Sequence, residues 1–298
     1  MVRETGADAM TQLRDIAELV RLPAALTVPG DTLAGAAAAG TLSGWRPIAL
    51  AASSMCLYWA GMALNDFADR ELDRAERPER PIPSGRVAPS TALGVASGLT
   101  LAGVGLAGMT GRKAFTFALP LAGSVWAYDL LAKPTLAGPL VMGSARAFDV
   151  LLGAAAAPRR ALPAALLMGI HTTAVTGLSR GEVHGSSKKS ASAALATTAA
   201  VTAGAATSAF RATRRGPVPR LAGAAFAGAY GVAVGRAQAN AVATPDAQSV
   251  RTATRRGIHG MVPLQASLIA QSGRTLLAAG LAAVTPLLRA AAKVVSPT

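Results

Sequence analysis

The chain has 298 residues, of which 51% are hydrophobic and only 15% are charged, and its mean hydropathy is +0.39. Soluble domains usually carry about 25% charged residues, so the composition excludes an ordinary soluble domain. The net charge of +14 could indicate nucleic-acid binding, but the Lys and Arg residues lie in short loops between apolar segments, and aromatic residues make up only 4%. Base-stacking surfaces are therefore scarce, and we expect no nucleic-acid partner. The single Cys56 excludes an internal disulfide.

Residues 1–22 form a polar segment ahead of the first apolar run. Four apolar residues recur in it at helical spacing: Leu13, Ile16, Leu19 and Val20. Charged residues are scattered through the segment and leave no apolar core of the kind that a signal peptide needs. The pattern predicts an interfacial helix on the cytoplasmic surface of a membrane.

Apolar segments then recur along the chain with short polar interruptions. Nine of them approach the roughly 20 residues that span a bilayer: 24–41, 47–66, 89–110, 113–131, 137–157, 161–178, 190–209, 220–238 and 274–293. A further stretch, 257–270, follows a basic run and predicts either a tenth span or a broken helix. The sequence contains no polar linker long enough to separate two cores. We therefore predict an all-α fold, a single polytopic transmembrane helix bundle over residues 1–298 with about nine spans and a partial one.

Small residues and basic residues add expectations about packing and orientation. Gly94 and Gly98, and again Gly231 and Gly235, have the four-residue spacing that lets membrane helices approach closely. With the N-terminus inside, the inner loops carry more Lys and Arg than the outer loops. This asymmetry predicts that loops 67–88, 132–136 and 179–189 lie together on the cytoplasmic side of the cell membrane.

The segment from Asn65 to Asp73 is where the second apolar span meets its longest loop. Asp66, Asp69 and Asp73 are spaced three and four residues apart, so a helix places their carboxylates on one face, with Asn65 beside them. Three like charges on one face repel unless a cation compensates them. Hard oxygen ligands of this kind suit Mg²⁺, which typically bridges one or two carboxylates to a substrate phosphate. The alternative is a solvated helix end whose acids pair with the arginines that follow.

The loop that follows is stiffened by three prolines and carries arginines at 74, 77, 80 and 86. Arg77 and Arg80 offer planar donors to phosphate oxygens, and the same residues also serve as a topology signal.

These residues resemble the first aspartate-rich motif of the UbiA superfamily of intramembrane prenyltransferases. The similar features are Asn65-Asp66-x-x-Asp69-x-x-x-Asp73, the tail Arg77-Pro78-x-Arg80-Pro81-Ile82-Pro83-Ser84-Gly85, the opening Arg21-Leu22-Pro23 and the pair Tyr128 and Lys133. The resemblance extends over nearly the whole chain and is greatest for the EboC-like branch.

The resemblance implies a nine-helix bundle around a central cavity, where Mg²⁺ holds the diphosphate of an isoprenyl donor and a small, often aromatic, acceptor attacks the allylic cation. The residue roles that it implies are metal binding by Asp66, Asp69 and Asp73, support by Asn65, and contact with the diphosphate by Tyr128 and Lys133. Asp66, Asp69, Tyr128 and Lys133 are then the catalytic residues, and Arg77, Arg80 and Arg180 help to bind the substrate.

The second acidic motif of the superfamily departs from its usual pattern here. It aligns with Glu182-Val183-His184-Gly185-Ser186, so that Glu182 remains as a metal ligand while Ser186 has replaced a carboxylate. Two different functions therefore stay open. One is prenyl transfer, and the other is binding or transport of a prenyl lipid without turnover. A phosphatidyl-group transferase is disfavoured, because its Asp-Gly-x-x-Ala-Arg pattern is absent near 65–73.

Three charges inside predicted spans stand out. Arg146 and Asp149 lie three residues apart in the fifth span, and Asp31 lies in the first. Charges at membrane depth usually face a cavity or a partner, so Arg146 and Asp149 either neutralise each other or line the substrate cavity. His171 and His259 have no metal-ligand spacing around them and are interpreted as packing or interfacial residues.

Overall fold

The computed structural model describes residues 13–21, 28–211 and 216–283. Within these ranges the regular elements are helical. They are α1 (Pro29–Ala39), α2 (Arg46–Ala68), α3 (Arg70–Glu76), α4 (Pro89–Thr110), α5 (Arg112–Ala127) with a π-helical turn at Tyr128–Ala132, α6 (Gly138–Gly153), α7 (Pro158–Ser179), α8 (Lys188–Arg211), α9 (Pro217–Ala243) and α10 (Ala247–Ala270). Residues 13–19 and 275–283 are helical as well.

The predicted class, an all-α polytopic membrane bundle, is confirmed. Five described helices are long and apolar enough to cross a bilayer: Arg46–Ala68, Pro89–Thr110, Arg112–Ala132, Pro158–Ser179 and Lys188–Arg211. The number of nine spans stays a prediction, and parts of the first and last predicted spans lie outside the described residues. The 1–22 segment is described only at 13–21, where it is mostly helical.

The broken helix that was one expectation for 257–270 was wrong, whereas a full or partial span there stays a prediction. This stretch is the second half of α10, which is continuous over 24 residues despite Pro263. Neighbouring helices bury this half of α10, including Leu264, Leu268 and Ile269. Membrane helices tolerate an internal proline where surrounding helices compensate for the lost hydrogen bond.

Close packing occurs at other glycines than the first predicted pair. A Cβ atom at Gly94 or Gly98 would meet no atom within 4 Å, so that prediction was wrong. α4 instead buries Ala92, Ala96, Gly103 and Ala107. At Gly231 the prediction is confirmed, because a Cβ there would lie 2.7 Å from Oγ1 of Thr202 on α8.

Two apolar clusters lie on either side of the bundle. One joins α1 and α6 to α10 and contains Met168, Tyr230 and Leu264. The other joins α2, α4, α5 and α6 around Leu57 and Leu121. Because α6 contributes to both clusters, it stands in the middle of the bundle.

The three loops that were expected on one side do meet at one end of the bundle. Lys133 forms an ion pair with Asp69, and the Arg180 side chain donates hydrogen bonds to the backbone oxygens of Lys133 and Thr135. These contacts tie the 67–88, 132–136 and 179–189 loops together. Their position on the cytoplasmic side stays a prediction.

Candidate active site

A cavity of about 300 Å³ lies between α2, α5, α6, α7 and α10. On α2 it is lined by Ser54, Leu57, Tyr58, Gly61, Met62 and Asn65, which share one helical face. With a rise of 1.5 Å per residue, the cavity extends about 16 Å along α2. We call the end near Asn65, Tyr128 and Asp129 the mouth, and the end near Ser54, Arg146 and Asp149 the floor.

Beside the mouth, one arginine holds two of the three motif carboxylates. Asp66 lies in the last turn of α2 and Asp73 lies on the short α3, and both are buried. Nη1 of Arg80 lies 2.6 Å from Oδ2 of Asp73 and 3.3 Å from Oδ1 of Asp66. Nη2 of Arg21 lies 3.0 Å from the same oxygen of Asp66. The loop arginine that the sequence predicted is therefore the centre of an ion-pair network.

The third carboxylate is paired across the bundle. Asp69 lies between α2 and α3 and forms an ion pair with Lys133, which follows the π-helical turn. In the same turn Tyr128 and Asp129 line the cavity, and Nδ2 of Asn65 donates to Oδ1 of Asp129 over 3.0 Å. Local π-helical turns occur often at functional sites, and this one places Tyr128 and Asp129 in the cavity lining, with Lys133 directly after it.

The two remaining predicted arginines are more peripheral. Nη1 of Arg77 lies 3.6 Å from Oδ1 of Asp73, and its side chain is half exposed. Arg180 is exposed and uses its guanidinium on backbone oxygens. Neither residue lines the cavity.

The acidic residues are of the type that binds magnesium, but they do not form a complete set of metal ligands. In the described part of the chain, no group of three or more His, Cys, Asp or Glu is placed to hold one metal ion. Oδ1 of the buried Asp73, however, accepts no hydrogen bond. Since Mg²⁺ is usually held by one or two carboxylates together with substrate phosphates, the donor set fits an ion that a diphosphate helps to bind.

The second loop is held through its backbone. The carbonyl oxygen of Glu182 accepts a hydrogen bond from Arg251 over 3.0 Å, and the amide of Ser186 donates to the carbonyl oxygen of Pro245 over 2.9 Å. Among the described residues the Glu182 carboxylate forms no ion pair, nor is it joined to the first motif. Its role as a metal ligand stays a prediction.

At the floor, Arg146 and Asp149 do not neutralise each other, which was the first of the two interpretations. Arg146 pairs with Asp31 over 2.8 Å and not with Asp149. Asp31 also accepts from Nε2 of Gln265 over 2.7 Å, while Asp149 accepts from Ser54 over 2.8 Å. Arg146 and Asp149 both line the cavity, as the second interpretation predicted.

His171 is a buried packing residue, as expected, although it also lines the cavity. Its Nε2 lies 3.1 Å from the carbonyl oxygen of Gly257, and its Nδ1 lies 2.8 Å from the Tyr230 hydroxyl. A carbonyl oxygen only accepts, so Nε2 carries the proton and Nδ1 accepts from Tyr230. The ring therefore joins α7, α9 and α10.

Sequence reasoning missed two polar residues near the mouth. Asp129 was not selected, although a carboxylate within an apolar span is a functional signal in itself. In the sequence Arg21 is only part of the opening motif, yet its guanidinium reaches Asp66. Its partner lies 45 positions away in the chain, so local spacing carried no sign of the contact.

Comparison with known proteins provides evidence that is independent of this geometry. The sequence model of the UbiA prenyltransferase family matches residues 26–179, just over half of the chain. The chain belongs to the UbiA prenyltransferase family. None of the relatives below distinguishes the EboC-like branch, which stays a prediction.

Individual UbiA relatives match in sequence or in fold. A digeranylgeranylglyceryl phosphate synthase of Methanothrix thermoacetophila is 34% identical over 104 residues, which is 34% of this chain and 39% of that protein. The chain spans less than half of the length of the curated relatives it matches. The solved structure of a digeranylgeranylglyceryl phosphate synthase has a TM-score of 0.66 at 16% identity, covering 88% of this chain and 98% of that one.

A UbiA homologue from Archaeoglobus fulgidus, bound to GPP and Mg²⁺, has a TM-score of 0.57 at 12% identity. The match covers 83% of this chain and 99% of that chain. At these identities the structural matches show a shared fold.

Proposed function

We propose that this protein transfers an isoprenyl group from a prenyl diphosphate to a small acceptor inside the membrane, with Mg²⁺ as cofactor. The observation that carries the proposal is the mouth, where paired acids and cations border the polar end of an otherwise largely apolar cavity. Family membership supports the reaction class, and the Archaeoglobus homologue with GPP and Mg²⁺ supports the donor class.

Asp66, Asp69 and Asp73 are the residues that would hold magnesium. The bound ion supplies positive charge that stabilises a departing diphosphate. Asp73 has an oxygen without a hydrogen-bond partner, and Asp66 and Asp69 have partners that can exchange the carboxylate for a phosphate.

Arg80 and Lys133 are those exchangeable partners. In the described structure each is ion-paired with motif carboxylates. When the donor binds, their N–H groups turn to its phosphate oxygens. As the C–O bond to the diphosphate breaks, its electron pair leaves with the diphosphate, and these cations stabilise the developing negative charge.

The cavity side chains act on the other reacting groups. Leu57, Leu121 and Val125 exclude water from the allylic carbon, and the Tyr128 hydroxyl lies at the diphosphate end. The acceptor must lose a proton when its new bond to carbon forms. Asp129 lines the mouth, and in the described structure it is held by the Asn65 amide without a salt bridge to a cation. We assign Asp129 as the acceptor of that proton.

A second candidate is a prenyl-lipid binder or transporter without turnover. It is favoured by the serine at position 186 and by the Glu182 carboxylate, which has no ion pair among the described residues. A turnover measurement separates the two functions. Purified protein in proteoliposomes is given geranyl diphosphate, Mg²⁺ and a membrane lipid extract, and both released inorganic diphosphate and prenylated products are measured.

An enzyme releases diphosphate and adds a ten-carbon prenyl group to an extract component. Asp69→Asn should abolish both signals. Glu71→Gln is the matched control, because Glu71 lies on the same short segment but is exposed and pairs with Arg74. Magnesium-dependent donor binding with no product in any protein would favour the binder.

A further inference from the structure

A second cavity, of about 490 Å³, lies between α9 and α10. We call it the α9–α10 groove. Its polar lining comes from both helices: Arg236 and Asn240 on α9, and Gln248, Ser249, Thr252 and Arg256 on α10. No acidic residue of the described chain lines it, and it shares no lining residue with the cavity of the candidate active site. The groove is therefore a separate site that is basic and polar.

The two arginines of the groove have no partner among the described residues. Both are exposed, and neither forms an ion pair or a hydrogen bond there. Arg236 lies ten residues before Asp246 in the turn between the helices, and Arg256 lies ten residues after it. Helices joined by so short a turn run antiparallel, so the two guanidinium groups lie at a similar level. The Asp246 carboxylate does not line the groove, and it caps α10 by accepting from the amide of Ser249 over 2.7 Å. An anion in the groove would therefore be attracted by both arginines.

The exposed face of α9 changes from apolar to basic at Arg236. Before it, Val218, Leu221 and Val232 are 65%, 62% and 51% exposed, and their spacing places them on the same helical face as Arg236. Residues 221–235 carry no charge. α9 has 27 residues, so it is about 40 Å long, against about 30 Å for the hydrocarbon core of a bilayer. An apolar face that ends in an arginine near the end of such a helix is typical of the level of lipid headgroups.

The groove lies at the same end of the bundle as the mouth. The carbonyl oxygen of Pro245, in the turn between α9 and α10, accepts from the amide of Ser186. In the same loop as Ser186, the Arg180 side chain donates to the backbone oxygens of Lys133 and Thr135. These loops are predicted to face the cytoplasm. Basic pockets between membrane helices on that side are of the type that binds anionic lipid headgroups.

We propose that the α9–α10 groove binds the headgroup of an anionic phospholipid from the surrounding bilayer. The phosphate oxygens accept hydrogen bonds from Arg236 and Arg256, and the polar remainder of the headgroup bonds side chains such as Asn240 and Ser249. An acyl chain lies along the apolar face of α9 that ends at Val232. A soluble phosphate compound would match the arginines but would leave that apolar face uncovered. Because the groove is separate from the candidate active site, this inference does not depend on prenyl transfer.

A comparison of two lipids with identical acyl chains tests the proposal. Dioleoyl phosphatidylglycerol and dioleoyl phosphatidylcholine are titrated into the purified full chain in detergent, and native mass spectrometry resolves each bound lipid. We expect the first phosphatidylglycerol to bind about tenfold more tightly than the first phosphatidylcholine, because the choline group cancels the charge of the phosphate. Glycerol phosphate, which has the phosphate without acyl chains, should show no saturable binding at the same concentrations.

Neighbouring arginines on α10 connect that preference to the groove. Arg236→Gln and Arg256→Gln should each weaken phosphatidylglycerol binding about fivefold, which corresponds to about 1 kcal/mol. Arg255→Gln is the matched control, because it removes the same charge from an exposed position one residue away that does not line the groove. It should change the affinity less than about twofold. The replaced side chains are exposed, so all three variants should fold.

Three results would overturn the lipid site. Equal binding of the two lipids would show that the groove does not select a negative charge. An equal loss in Arg255→Gln and Arg256→Gln, or no loss in either groove variant, would show that only the general positive charge of the protein attracts the lipid. Binding of glycerol phosphate as tight as that of phosphatidylglycerol would assign the groove to a soluble phosphate compound.

Discussion

The two loops that carry the acidic motifs are stabilised by different interactions. In the first loop, residues 65–86, side chains make the contacts: Arg80 joins two carboxylates and Lys133 holds a third. In the second loop, residues 180–187, the backbone makes many of them, through the amide of Ser186 and the carbonyl of Glu182.

The difference indicates a division of work between the loops. The first loop carries ion pairs in which a diphosphate can replace the carboxylate, whereas the second loop forms backbone hydrogen bonds to the turn between α9 and α10 and its surroundings. Changes in the first loop should therefore have the larger effect on ligand binding, and changes in the second loop should have the larger effect on stability.

Removing a carboxylate from the first loop should have the largest effect. We expect Asp66→Ala or Asp69→Ala to weaken magnesium-dependent binding of geranyl diphosphate at least 100-fold, about 3 kcal/mol, because each variant removes a metal ligand and leaves a cation without its partner. Glu71→Ala should change binding less than twofold. A titration of the proteins in nanodiscs measures this, and unchanged affinity in both aspartate variants would remove the first loop from the site.

A matched pair of glycines tests the structural role of the second loop. Gly85 and Gly185 both have positive φ, at 76° and 82°. A Cβ at Gly85 meets no atom within 4 Å, but at Gly185 it would lie 2.6 Å from the carbonyl oxygen of Pro245. We expect Gly85→Ala to cost about 1 kcal/mol from backbone strain and Gly185→Ala about 3 kcal/mol, because the added methyl group also overpacks the loop contact.

Thermal unfolding in detergent measures the two glycine variants. Equal losses of stability would show that the contact with Pro245 does not hold the second loop.

Changes at the second acidic motif should have a smaller effect on ligand binding. We expect Glu182→Ala to weaken donor binding about tenfold, because the predicted role of this carboxylate is to help hold magnesium. Ser186→Asp should tighten the binding by adding an oxygen ligand. Binding titrations at several Mg²⁺ concentrations measure both. If Glu182→Ala binds like the wild type, the second loop has no part in the site.

The smallest effect concerns the contact between the first loop and the helical residues 13–19. Arg86 bonds both carboxylate oxygens of Glu18, at 2.8 and 3.0 Å, and lowers the pKa of that carboxyl below its usual value of 4.5. A lowered pKa stabilises the folded state above the ordinary pKa, and this contribution is lost as the pH falls through the folded value. The pair is partly exposed, so its contribution is about 0.5 kcal/mol.

Glu18→Gln should therefore lower the Tm by about 1–2 °C at pH 7, with the difference shrinking below pH 4.5. Unfolding curves at pH 7 and pH 3.5 provide the comparison. A constant difference at both pH values would show that the charge on Glu18 is irrelevant.

Local sequence patterns predicted the first loop well. The spacing of Asp66, Asp69 and Asp73 is a helical property, and it placed them at the end of a span, as the structure does. Patterns of small residues were less reliable. The glycine spacing at 94 and 98 is compatible with close packing, but which face of α4 packs depends on the surface that α2 presents.

Contacts between distant residues could not be predicted. Arg146 is 115 positions from its partner Asp31, and Gln265 is 234 positions from the same carboxylate. Nothing in the local spacing distinguishes these pairs from the nearer pair of Arg146 and Asp149. The position of Asp129 in an apolar span is a sequence signal, but its contact with Asn65 could not be predicted, because that contact depends on the π-helical turn.

The central claim is that the mouth binds a prenyl diphosphate through magnesium. The most direct measurement is calorimetric titration of geranyl diphosphate into the wild-type protein in nanodiscs, with Mg²⁺ and then with a chelator in excess. We predict saturable binding with Mg²⁺ and at least a 100-fold loss of affinity in the chelator. Equal affinity in the two conditions would contradict the claim.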